Sequence, residues 1–319
     1  MKKYSVLISI VIFCLALSAC VNLKKVDRGW DAPPYFAMER QAEIEGITIT
    51  YLECGADNPE NIVFIHGLSG NVMNWWDQFE DFRDDYRLLI PDLPGHGKSD
   101  KPENFDYSVE SFARIIIGLM NQLEIDKAAI VGNSLGGAIA GYLAIHYPDR
   151  VDKLVLSDSA GIKISPLLKA VTPIATPITI RWSGVTSARQ YPGTDEKNRI
   201  RADFSASYRD TSEEIPYLKA IDQSLAQIAR FDFTDDLPKI QAPTLIIWGD
   251  NDKTVPFKIH QTFAGKIPNN QLYVVKEGGH TPNMSKPEEF NCALEKFLKN
   301  ESLEPCHQIV EGVEPKNAE

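Results

Sequence analysis

Gly132-Asn133-Ser134-Leu135-Gly136-Gly137 is the segment of this chain whose residue types and spacing most strongly imply chemistry. An apolar run, Ala128 to Val131, precedes it, and a small-residue, apolar stretch from Ser134 to His146 follows. A serine held between a strand and a helix in G-x-S-x-G sits on a sharp, strained turn that exposes its hydroxyl at the end of a sheet. Glycines two residues before and two after it let neighbouring backbone approach closely. Such a hydroxyl becomes a nucleophile when an adjacent base takes its proton. The N–H of Leu135, at the helix start, has no partner within the helix and lies where the helix dipole favours negative charge. A histidine, the commonest general base, stands in a glycine-flanked loop late in the chain: His280 closes Gly278-Gly279-His280 after the apolar run Leu272 to Val275. His146, His260 and His307 fall in helix or tail and read as surface residues. Three acids could orient the imidazole. Asp250 and Asp252 follow the run Pro243 to Trp248, and Asp158 follows Val151 to Leu156.

The surrounding elements are those needed to hold such groups. Short continuous apolar runs at Asn61–Ile65, Arg87–Ile90, 128–131, 151–156, 243–248 and 272–275 alternate with helical patterns at Val109–Leu123, 134–146, Phe257–Ala264 and Pro287–Leu298. That alternation predicts a mostly parallel sheet covered on both faces, with sites at the carboxyl ends of its strands. Ile44 to Leu52 alternates in part and predicts a strand pair near the surface. Residues 161–237 break the alternation with Pro166, Pro173, Pro177, Pro192 and Pro216 and with a helix-like segment, Ile215 to Arg230. They read as a helical insertion over the sheet, whose apolar side chains (Leu167, Leu168, Val171, Ile174, Ile178) either pack on the core or line a pocket.

The sequence resembles the α/β-hydrolase fold family over residues 44–299. Within it, Gly132 to Ile139 and Leu156-Ser157-Asp158-Ser159-Ala160-Gly161 are similar to segments of bacterial lipases of the Moraxella/Psychrobacter lipase 1 type. The serine turn also resembles that of the meta-cleavage C–C hydrolases. The resemblance implies an α/β-hydrolase fold, with helices on both faces of the sheet and a helical cap. It implies Ser134 as nucleophile and His280 as base and then acid. The family's G-x-x-D followed by Pro selects Asp252 over Asp250 and Asp158. The residue after His66-Gly67 supplies a second oxyanion donor in the family, so the Leu68 N–H joins that of Leu135. His66 and the Asp92–Ser99 loop read as scaffold.

The N-terminus carries Lys2 and Lys3, an apolar run from Val6 to Leu17 and a small-residue end, the pattern of a secretory signal. Leu17-Ser18-Ala19-Cys20 resembles the lipobox of bacterial lipoproteins, which implies acylation at Cys20; the alternative is a plain signal peptide cut nearby. Val21 after the cysteine leans toward an outer-membrane lipoprotein of the bacterial envelope. Cys292 and Cys306 lie close enough in sequence to form a disulfide in an oxidising compartment, or they stand free as small apolar residues. The resulting layout is a signal peptide at 1–19, a tether at 20–42, a core at 43–160 and 238–299, a cap at 161–237 and a flexible tail at 300–319.

The chain has 319 residues, 43% hydrophobic and 24% charged, with 33 basic against 44 acidic side chains. That composition excludes a multi-span membrane protein and long disorder, and the net charge of −11 argues against nucleic acid as a partner. Zinc-ligand spacing such as C-x-x-C is missing, so neither a metal nor an organic cofactor is expected. The expected activity is hydrolysis of a carboxylic ester or lipid through an acyl-enzyme. A C–C bond or lactone hydrolase on the same fold is the alternative, and a non-catalytic envelope binding protein a third. Epoxide and haloalkane hydrolases are disfavoured, because those families place Asp where this chain has Ser134.

Overall fold

The computed structural model describes residues 38–162 and 214–309. Their strands are β1 (Glu39–Ile44), β2 (Ile47–Cys54), β3 (Asn61–Ile65), β4 (Arg87–Pro91), β5 (Ala128–Asn133), β6 (Val151–Ser157), β7 (Thr244–Gly249) and β8 (Asn270–Val275). They form one sheet in the order β1-β2-β4-β3-β5-β6-β7-β8. Pairings β1–β2 and β2–β4 are antiparallel, and every pairing from β4 through β8 is parallel. Glu45 and Gly46, both at positive φ, make the two-residue turn that pairs Ile44 with Ile47.

The helices are α1 (Trp76–Phe82), α2 (Val109–Gln122), α3 (Leu135–His146), α4 (Glu214–Ile228), α5 (His260–Lys266), α6 (Pro282–Ser285), α7 (Pro287–Leu298) and α8 (Glu304–Ile309). β5 and β7 are buried along their whole length, as strands covered on both faces must be. Alternate side chains of β3 divide between two cores. Val63 and Ile65 face Phe112, Ile115 and Leu119 of α2, while Ile62 and Phe64 face Trp75, Phe79 and, on α7, Phe290 and Leu294. Each such fully buried side chain contributes roughly 1.5–3 kcal/mol from apolar burial. Ser108 caps α2, its hydroxyl accepting the Ser111 N–H at 3.1 Å. α1 is fastened to α7 by buried amides: Gln78 donates to Asn291 Oδ1 at 2.6 Å, and Asn291 donates to Asp81 at 2.6 Å.

The element boundaries differ from the sequence reading at both ends. β1 takes in residues 39–42, assigned to the tether, because Ala42 and Ile44 face the core while Arg40, Gln41 and Glu43 face solvent. At the other end, residues 301–309 are not a loose tail: they run into α8, and buried Cys306 is joined to Cys292 of α7 by a disulfide. Residues 1–37, which include Cys20, and cap residues 163–213 lie outside the described residues.

The disulfide closes a sequence separation of 14 residues. Cross-links of that span typically contribute about 2–4 kcal/mol, chiefly by restricting the unfolded chain. Replacing both cysteines with serine is expected to lower the unfolding free energy by that amount in a urea titration. An unchanged midpoint would show that the link does nothing for stability.

The parallel order has one consequence for function. β4, β3, β5, β6, β7 and β8 lie side by side and point the same way, so their carboxyl ends share one rim. That rim carries Asp92 after β4, His66 after β3, Ser134 after β5, Asp158 after β6, Asp252 after β7 and His280 after β8.

Candidate active site

Ser134 sits between β5 and α3 at φ 56° and ψ −116°, a conformation that costs a non-glycine residue energy. Backbone bonds hold it there. Its N–H donates to Ser157 O at 3.0 Å, and its carbonyl accepts from Ala138 and Ala160. The flanking glycines are required by close approach. A Cβ on Gly132 would stand 2.1 Å from Gly136 O, and one on Gly136 would stand 2.1 Å from Ile65 O. Leu135 is the first residue of α3, so its N–H has no acceptor within the helix.

The loop after β3 packs directly on this turn: a Cβ on Gly67 would stand 3.1 Å from Ser134 Cβ. Leu68 follows, half-buried. His66 holds the loop from beneath. Leu93 N–H donates to its Nε2 at 3.1 Å, so Nδ1 carries the proton and donates to Gly67 O at 2.8 Å. Complete burial, with His96 beside it, pushes the His66 pKa down to about 3, so it stays neutral. Asp92 fastens the same loop to the next one, accepting Val72 N–H at 2.8 Å and Lys98 N–H at 2.7 Å. Burial raises its pKa to about 6. From above, Tyr217 of α4 donates its hydroxyl to Ser69 O at 3.3 Å.

His280 Nδ1 lies 2.8 Å from Asp252 Oδ2. The Asp252 side chain is fully buried, whereas 22% of the His280 side chain is exposed. Asp252 Oδ1 accepts N–H bonds from Thr254 at 2.7 Å and Val255 at 3.1 Å. Asp250, two residues earlier, is exposed. Asn133 Nδ2 donates to His280 O at 3.0 Å and to Ser157 O at 3.3 Å, so the residue beside Ser134 ties the histidine loop to the serine turn. Among the described residues the hydrogen bond at the imidazole is the one to Asp252; none from the Ser134 hydroxyl is formed. Asp158 is buried next to Asp252. One side-chain oxygen or nitrogen from each of Asp158, Asp252 and His280 lies within 4.8 Å of the other two.

The structure thus gathers Ser134, Leu135, Gly67-Leu68, Asp252 and His280 at one rim. One contributor is not apparent from residue type alone: Asn133, whose amide bridges two loops. His66, read from the sequence as scaffold, fixes the Leu68 loop with its ring. His260 corrects the sequence reading. It is buried, not on the surface, because the short turn Phe257–Ile259 folds it inward, with Nδ1 at 2.6 Å from Phe257 O and its ring near Trp248.

A sheet of this order, with a strained serine leaving its fifth strand, is the α/β hydrolase fold. The chain belongs to that family, whose model matches residues 60–287, and it is a hydrolase of that fold. It is 30% identical over 259 residues to a 2-hydroxy-6-oxononadienedioate/2-hydroxy-6-oxononatrienedioate hydrolase of Cupriavidus pinatubonensis, covering 76% of this chain and 87% of that one. A thermophilic esterase from Thermogutta terrifontis superposes with a TM-score of 0.68 at 25% identity, over 82% of this chain and 98% of that one. An N-acyl homoserine lactone degrading enzyme superposes with a TM-score of 0.67 at 29% identity, over 81% of this chain and all of that one.

Proposed function

We propose that the protein is a serine hydrolase of carboxylic esters, a lipase or esterase working through Ser134, His280 and Asp252. The observation that carries this reading is the buried Asp252 carboxylate 2.8 Å from His280 Nδ1, on a loop tied by Asn133 to the strained serine turn. In ligand-free enzymes the serine–imidazole contact is often long and tightens only with substrate. His280 takes the Ser134 proton as the hydroxyl attacks the ester carbonyl, then returns it to the leaving alcohol. The tetrahedral oxyanion receives the Leu68 and Leu135 N–H donors. Water activated by His280 then releases the acid from the acyl-enzyme. The chain's likeness to an esterase and to a lactone-degrading enzyme supports acyl transfer to water.

This reading includes a lipid anchor at Cys20 and a place in the bacterial envelope. The Cys292–Cys306 disulfide supports an oxidising compartment.

A second reading, hydrolysis of a C–C bond, is favoured by the 30% identity to the 2-hydroxy-6-oxononadienedioate/2-hydroxy-6-oxononatrienedioate hydrolase. A panel of p-nitrophenyl esters from C2 to C16, run beside ring-cleavage dienones, separates the two. Ester turnover well above dienone turnover is expected. Dienone cleavage without ester hydrolysis would overturn the assignment.

A further inference from the structure

Asp158 has no task in the mechanism above, yet it sits at the centre of the rim. It follows β6, the strand between those that lead to Ser134 and Asp252. Its φ of 43° lies in the left-handed region, which Asp and Asn tolerate better than most residues. The backbone N–H donates to Ile247 O at 3.1 Å. In the side chain, Oδ1 accepts Gly249 N–H at 3.0 Å and Oδ2 faces the Ser157 hydroxyl at 3.1 Å. The remaining neighbours are Asp252 and His280: one side-chain oxygen or nitrogen of each lies within 4.8 Å of an Asp158 oxygen.

Two buried carboxyls this close disfavour each other's ionisation, which favours a proton on one of them. The partners decide which. Asp252 receives two backbone N–H bonds and the His280 ring, all of which stabilise an anion. Asp158 receives one N–H and a neutral hydroxyl. Burial and the adjacent Asp252 charge both hold the Asp158 carboxyl well above the ordinary range.

We propose that Asp158 is a positioning residue of this site: its carboxyl donates a hydrogen bond to the Asp252 carboxylate and fixes the oxygen that faces His280. The proposal rests on the roles given to Asp252 and His280 above. Asp252 would then receive four hydrogen bonds, enough to occupy its lone pairs and lock its plane. A neutral donor is all that is needed.

Asp158→Asn keeps a neutral donor toward Asp252 and an acceptor for Gly249 N–H. Asp158→Gly removes the donor while suiting the positive φ. Both variants of the full chain are to be compared with wild type by melting temperature, by the rate of fluorophosphonate labelling at Ser134, and by the low-field proton NMR signal of His280 Nδ1–H. Asp158→Asn is expected to label within about twofold of wild type and to keep the signal. Asp158→Gly is expected to label about tenfold more slowly, a loss in line with one buried hydrogen bond, and to lose the signal to exchange. A folded Asp158→Gly that matches wild type overturns the proposal. So does an Asp158→Asn as impaired as Asp158→Gly, because a charge would then be required. Should Asp158→Gly fail to fold, Asp158→Asn decides alone through the same readouts. A wild-type chain that does not label sinks the serine-hydrolase reading instead, and the NMR signal still tests Asp158.

Discussion

Ser134→Ala is expected to lower ester turnover by about 10⁶-fold, the loss seen when a serine nucleophile acting as one unit with its base is removed. The proposed oxyanion donors are backbone N–H groups, and the Asp252–His280 pair is built without the serine hydroxyl, so both survive the change. What disappears is the covalent intermediate, leaving only transition-state binding for water. The fold should persist. Alanine inherits the same strained φ of 56°, held by the same bonds from Ala138, Ala160 and to Ser157, and no hydrogen bond of the hydroxyl is lost among the described residues. The melting temperature is therefore expected to stay close to wild type while fluorophosphonate labelling vanishes. Turnover retained above about a hundredth of wild type would remove this serine from the mechanism.

The serine turn is legible in the sequence because close backbone approach dictates its glycines. Gly132 and Gly136 have backbone oxygens where a Cβ would be, and no other residue type fits. The parallel strands are legible for a related reason: burial on both faces leaves continuous apolar runs. β1 is less so. As the edge strand it buries Ala42 and Ile44 but exposes Arg40 and Gln41, and its polar half blends into the preceding segment. α1 is a short helix, and its apolar spacing at Trp76, Phe79 and Phe82 spans too few residues to stand out beside the buried amides that hold it to α7.

Contacts between loops distant in sequence are the hardest to read in advance. Asn133 fills the variable position of G-x-S-x-G, where any residue would satisfy the motif, yet its amide reaches a carbonyl 147 residues away. His260 is another case. A histidine at a helix start reads as exposed until a preceding turn is known to carry it inward. Asp158 differs again, for its type and place after a strand single it out, but its relation to Asp252 depends on strand order. Only once β6 is known to lie between β5 and β7 do the two carboxyls become neighbours.

Asp252→Asn is expected to cut kcat by about 10⁴-fold with little change in KM, and the surrounding hydrogen bonds say why. An asparagine could in principle present either its oxygen or its NH₂ to the imidazole. Here the choice is made by the backbone: Thr254 and Val255 N–H both require an acceptor at the Oδ1 position, so the amide oxygen stays there. The NH₂ then faces His280 Nδ1 and needs an acceptor in turn. Nδ1 must give up its proton, which moves to Nε2, and an imidazole protonated at Nε2 cannot take the proton of Ser134. The substrate meets the same surface, so binding is spared while the base is lost. Asp250→Asn provides the contrast, since that exposed carboxyl is expected to be replaceable at no cost. A steady-state comparison of the two variants across the ester panel checks both. If Asp250→Asn is the damaging change, or if Asp252→Asn keeps most of its kcat, the acid has been placed on the wrong residue, and Asp158 becomes the next group to test.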